Sequence, residues 1–129
     1  MLRGQVLYIP VYSKIPYYSE SKFYSLSAFI TIHNTDFYHL ITVSKVLFFN
    51  NEGKLVRQFI NQPVTLAPLA ATHFFVPEAD TSGTGANFII EWTSETPVTE
   101  PLIESVMTGL RNNQGVTFSS SGRVIRERK

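Results

Sequence analysis

YSLSAFITIH, residues Tyr24–His33, decides the fold class: Leu26, Ala28, Ile30 and Ile32 share one parity, and Ser25, Ser27, Thr31 and His33 share the other. Phe29 is the one bulky residue among the polar positions. A repeat of two is the side-chain period of a strand with one face in a core and the other in water. The run stops at Asn34, Thr35 and Asp36, residues whose side chains bond their own backbone in turns.

The same pattern continues on both sides. Upstream, Gln5–Tyr12 sets Val6, Tyr8, Pro10 and Tyr12 against Leu7, Ile9 and Val11. Pro10 cannot donate to a ladder, which predicts an edge strand. Ser13–Ser21, with Pro16, Tyr17 and Tyr18, reads as a loop carrying exposed aromatics. Downstream, Leu40–Asn50 is a strand whose apolar parity switches between Val43 and Val46, predicting a bulge near Ser44 and Lys45. Asn50–Gly53 is a hairpin turn, Lys54–Ile60 its returning strand, and Val64–Leu66 and Thr72–Val76 are two further strands. Ala86–Thr93 puts Ala86, Phe88, Ile90 and Trp92 on a core face, while Glu95–Pro101, holding Pro97 and Pro101, reads as a crossover loop.

Pro101–Arg111 admits two readings, since Leu102, Ile103, Val106, Met107 and Leu110 also match helical spacing. The turn-like Asn112–Gly115 leading into Val116–Ser121 favours a strand, with a helix as the alternative. About eight short strands separated by turn signals predict an all-β, two-sheet antiparallel sandwich, formed as one domain over residues 1–129.

Composition agrees. The chain is 43% hydrophobic and 16% charged, with 10 Phe and 6 Tyr, which favours a packed β core over disorder. Net charge is +1, and Arg126, Arg128 and Lys129 against Glu127 put +2 of it in the last four residues, leaving −1 for the body. No basic stripe for phosphates is legible, so nucleic acid is not an expected partner, and residues 126–129 are expected to be a frayed, solvated tail. The absence of cysteine excludes disulfides, thiolate metal sites and thiol nucleophiles. No uncharged apolar run reaches the length of a membrane helix, so the domain is not expected to insert into a membrane. Met1–Gly4 is too short and polar for a signal peptide, and export is not inferred from the chain as given.

Several segments carry a family resemblance: GQVLYIPVYS at Gly4–Ser13, IHNTD at Ile32–Asp36, NEGKLVRQFI at Asn51–Ile60, PVTLAPLAATHFFVPEADTSGTGANFIIEW at Pro63–Trp92 and GVTFSSSGRVI at Gly115–Ile125. Together they resemble an uncharacterised bacterial family, domain of unknown function three-one-two-four. The resemblance implies no reaction and no catalytic residues. Export signals ahead of this domain in such proteins imply a periplasmic or cell-envelope location. The polar turn, the Gly-Lys hairpin and the Leu-Ala-Pro-Leu-Ala step also resemble immunoglobulin-like accessory domains of envelope proteins, an analogy of fold alone.

Chemistry-bearing patterns are sparse. His33, His39 and His73 lack metal-ligand spacing, Ser82, His73 and Asp80 lack a nucleophile elbow, and Glu91 and Glu104 are carboxylates on late strands with no legible separation. Neither catalysis nor a cofactor is expected. Two binding surfaces are. Tyr8, Tyr12, Tyr17 and Tyr18 concentrate aromatic rings near the N-terminus, as interfaces do. Asp80, Thr81, Ser82 and Asn87 surround the flexible Gly83 and Gly85, where oxygen donors could take a sugar hydroxyl or calcium, or brace the loop itself. The expected function is a non-enzymatic, extracytoplasmic domain that contacts another protein or a copy of itself. A small-ligand or carbohydrate-binding module using the glycine loop is the alternative.

Overall fold

The computed structural model describes residues 1–17, 19–77, 83–111 and 113–129, without the side chains of residues 19–21 and 111. Every regular element among them is a β-strand: β1 (Leu2–Val11), β2 (Lys14–Tyr17), β3 (Ser19–Ser25), β4 (Ser27–His33), β5 (Ile41–Phe49), β6 (Leu55–Gln58), β7 (Val64–Leu66), β8 (Ala71–Val76), β9 (Ala86–Val98), β10 (Leu102–Arg111), β11 (Gln114–Ser121) and β12 (Arg123–Arg128). The larger sheet runs β12-β1-β9-β5-β6, with β7 also on β5. The second runs β11-β10-β4-β8, and β2 with β3 forms a separate hairpin. All pairings are antiparallel.

Alternation in the sequence becomes rows in the sheets. On the larger sheet Ile9, Phe88 and Phe48 stand side by side, as do Leu7, Ile90 and Val46. The second sheet answers with the rows Met107–Ala28–Val76 and Ile103–Ile32–Thr72. All of these side chains but Thr72 join one buried cluster, and rings meet across the sandwich where Phe59 approaches Phe74 at 5.9 Å and Tyr12 approaches Phe118 at 5.9 Å. Each fully buried Phe, Leu or Ile contributes about 1.5–3 kcal/mol of transfer free energy. The β5 bulge falls where the parity switch placed it, between Val43 and Lys45. Pro101–Arg111 is strand from Leu102 onward.

Four expectations are corrected. β1 is interior, between β12 and β9, and not an edge. Pro10 is accommodated because β12 ends opposite Tyr8, short of the proline. The Pro10 carbonyl is instead satisfied by the Ser105 hydroxyl from the other sheet, which donates to it at 3.0 Å. Residues expected as a frayed tail pair with β1, Arg126 with Val6, Glu127 with Gln5 and Arg128 with Gly4. The segment expected as an aromatic loop contains the β2–β3 hairpin, pinned by the Tyr17 and Tyr24 rings 4.8 Å apart. Finally, β9 continues to Val98, and Pro97 is tolerated because β5 pairs with β9 only as far as Thr93.

Candidate functional site

At one end of the sandwich β4 stops and the chain enters Asn34-Thr35-Asp36, and here buried polar side chains organise three loops. Asn34 is 2% exposed. Its amide nitrogen lies 2.9 Å from the His39 carbonyl, 3.0 Å from that of Ala67 and 3.2 Å from that of Leu66. Its carbonyl oxygen accepts from the Asp36 N–H at 3.0 Å, and its own backbone N–H donates to Ala70 at 2.9 Å. One side chain therefore fixes the segment before β5 against the turn between β7 and β8.

Asp36 does the same toward the β9–β10 crossover. Its carboxylate accepts from the backbone N–H groups of Thr99 at 2.9 Å, Tyr38 at 2.8 Å and His39 at 2.8 Å, with the His39 ring 3.2 Å away. The Thr99 and Tyr38 N–H groups lead the effects that hold this carboxyl well below the usual carboxylate range, outweighing the opposing effect of burial. The crossover is gripped from β1 as well. Trp92 donates its indole N–H to Gln5 at 3.0 Å, Gln5 donates to the Glu100 carboxylate at 2.9 Å, and Thr35 donates to the Glu100 carbonyl at 2.7 Å.

What this framework presents to water is apolar. Phe37 is 69% exposed, Tyr38 83%, Leu40 50% and, on the neighbouring turn, Leu69 60%. Leu69 follows Pro68 in a turn closed by the Ala70 N–H to the Ala67 carbonyl at 3.0 Å, and its φ is 61°. That is the second central position of a type II turn, where glycine is the usual occupant because other residues are strained there. A cavity of about 600 Å³ adjoins Tyr38, lined by His39, Thr42, Thr93, Glu95 and Arg128 among others.

The residues singled out from sequence lie elsewhere and apart. Tyr8 stands on the outer face of the larger sheet, 37% exposed, while Tyr12 packs on Phe118 and Tyr17 on Tyr24. Asn87 is half-buried on β9 opposite Pro10. Tyr18, Asp80, Thr81 and Ser82 lie outside the described residues. The two loop glycines have a packing partner. A Cβ on Gly83, whose φ is 98°, would stand 3.1 Å from the Asn51 Cβ, and one on Gly85 would collide with the Asn51 side-chain oxygen. Glu91 and Glu104 point from the outer faces of opposite sheets, and no three His, Asp or Glu residues gather at metal-binding distance among the described residues. In the sequence Asn34–Asp36 reads as an ordinary turn and Leu40 as the start of the next strand. The signal the sequence did carry is Phe37 and Tyr38 standing directly after the turn, where small polar residues are usual.

A family model described as protein of unknown function (DUF3124) matches residues 4–125. No curated protein matches the chain. Among solved structures, the Crystal Structure of Thermotoga maritima 1070 is similar over 95% of this chain and 96% of that chain, with a TM-score of 0.55 at 15% identity. A likeness at that identity concerns the fold alone.

Proposed function

This chain belongs to the family described as protein of unknown function (DUF3124), and from the geometry of its loop end we propose a non-enzymatic recognition domain that grips another protein. The observation that carries this reading is the exposed set Phe37, Tyr38, Leu40 and Leu69 on loops whose backbones are fixed by Asn34 and Asp36. Apolar anchors already held in one conformation lose little entropy on binding, and large rings at the centre of an interface supply most of its affinity. The strained Leu69 points the same way, since a turn selected for stability alone would place glycine there. The immunoglobulin-like architecture and the periplasmic or cell-envelope location belong to the same proposal. Their support is the bacterial-envelope character that the family resemblance implies, together with the two-sheet form.

Crosslinking in an envelope extract of the native organism, followed by purification of the adduct, tests it. Wild-type protein is expected to form one defined adduct that Phe37→Ser/Tyr38→Ser abolishes while its circular dichroism melt is unchanged. An adduct insensitive to that substitution overturns the reading. Fractionation of a reporter fusion to the complete gene product tests the location, with recovery in the cytoplasm as the contrary result.

A further inference from the structure

Arg123, Arg126 and Arg128 alternate badly as a sequence: strict period two would put Arg123 on one face of β12 and the other two on the opposite face. The structure contains a bulge at this point, the register shifting between Val6 and Leu7. Arg123 therefore pairs with Tyr8, Arg126 with Val6 and Arg128 with Gly4, which puts all three arginines on the outer face of the larger sheet. The β5 bulge adds Lys45, which stands in one row with Glu91, Val6 and Arg126. Among the described residues none of these four cations has an ion-pair partner. The carboxylates lining the same cavities are Glu91, which already accepts from the Ser44 hydroxyl at 2.8 Å, Glu95 and Glu127.

The face is a trench, not a plane. The cavity beside Tyr38 shares Thr93 and Arg128 with one of about 240 Å³. That one shares Val6, Glu91 and Arg126 with another of about 250 Å³ reaching Lys45 and Ile125. Gly4 is set by the backbone beside the trench, because a Cβ there would stand 2.9 Å from the Trp92 carbonyl oxygen. The trench thus follows the strands for three rows, from the apolar loop end inward.

We propose that this trench seats an extended acidic segment of the partner polypeptide, an inference that rests on the protein-recognition reading above. Alternate side chains of an extended chain recur every ~7 Å, the same interval that separates successive rows of a sheet, so carboxylates at i and i+2 meet Arg128 and then Arg126 with Lys45. The apolar residues between the cations, Val6, Leu47, Ile89 and Ile125, offer a surface to the aliphatic stems of those acidic side chains. They offer nothing to a sugar-phosphate backbone, and a concave trench does not fit a flat anionic membrane.

The probe is a fluorescein-labelled, end-capped peptide of about eight residues alternating glutamate and leucine, followed by fluorescence anisotropy with the full chain. Binding is expected at low salt, weakening as salt rises, and Arg126→Glu/Arg128→Glu should weaken it by about tenfold or more with an unchanged melting curve. No peptide binding at low salt overturns the inference. So does equal binding by the charge-reversed variant, or tighter binding of a thymidine oligonucleotide or of phosphatidylglycerol vesicles. Repeating the native crosslink separates the two proposals. An adduct lost in Phe37→Ser/Tyr38→Ser but retained in Arg126→Glu/Arg128→Glu removes the acidic segment and leaves the recognition site standing.

Discussion

Asp36 and Leu69 lie at the same end of the molecule and act in opposite directions on its stability. A carboxyl held below its ordinary range binds fewer protons folded than unfolded, so its contribution is present above about pH 4 and is lost as pH falls through the carboxylate range. Melting curves of the wild type should therefore fall in temperature on acidification, and Asp36→Asn should melt lower at neutral pH with a flatter acid limb. A parallel pH dependence in the two proteins would show that Asp36 does not carry the effect. Leu69 is the converse case. Its left-handed backbone is unfavourable by about 1–2 kcal/mol, while glycine's greater unfolded-state freedom costs about 0.5–1 kcal/mol. Leu69→Gly should consequently melt at the same temperature or slightly higher, yet weaken the crosslinked adduct. Gly83, at φ 98° and against Asn51, has no such latitude: Gly83→Ala should destabilise by about 1–3 kcal/mol in denaturant titration.

Among the elements, β12 and β5 show how a single extra residue redirects a strand. Ile125 is the residue without a partner on β1, lying between Val124 opposite Leu7 and Arg126 opposite Val6. Deleting it restores a regular ladder while leaving Arg123, Arg126 and Arg128 on one face. The deletion should fold and melt close to the wild type, which is measurable on the purified variant. Loss of the fold would mean that the bulge itself, through the local bend it imposes, is needed to close the sheet. Pro10 teaches the complementary lesson. A proline excludes a ladder bond at one position and no more, and β1 remains interior because its neighbour β12 stops opposite Tyr8.

At the scale of the whole molecule, stability comes from the buried rows and recognition from what the rows leave outside. Phe88 has no exposed surface, packs on Phe48 at 4.9 Å and on Phe59 at 5.1 Å between ring centroids, and lies along β9 away from Thr93, which borders the loop end. Phe88→Ala should cost about 3–5 kcal/mol, a large part of the stability of a chain this size, and be read as a shift of the urea midpoint. Phe37 and Tyr38, exposed and outside the core cluster, should cost almost nothing when replaced. This separation is what makes the proposed site testable.

The fold class was legible because alternation is local: Leu26 to Ile32 and Ala86 to Trp92 state which side is buried without reference to any partner, and the buried face of each strand is the one their parity names. The β5 bulge was legible for the same reason, as a parity switch within one strand. Which strand lies beside which, by contrast, depends on pairs distant in sequence, such as Val6 with Arg126 and Gln5 with Trp92, and no local pattern encodes those. The site falls on that second side. Asn34 and Asp36 announced a turn, but their reach to Leu66, Ala67 and Thr99 exists only after the strands have assembled. The arginines of β12, scattered by parity, share a face only through a bulge that the register against β1 defines. The sequence alone thus determined a sandwich with a named inner face, since burial is decided residue by residue. Tertiary structure decided where its surface can bind, since a surface is made of residues brought together by pairing.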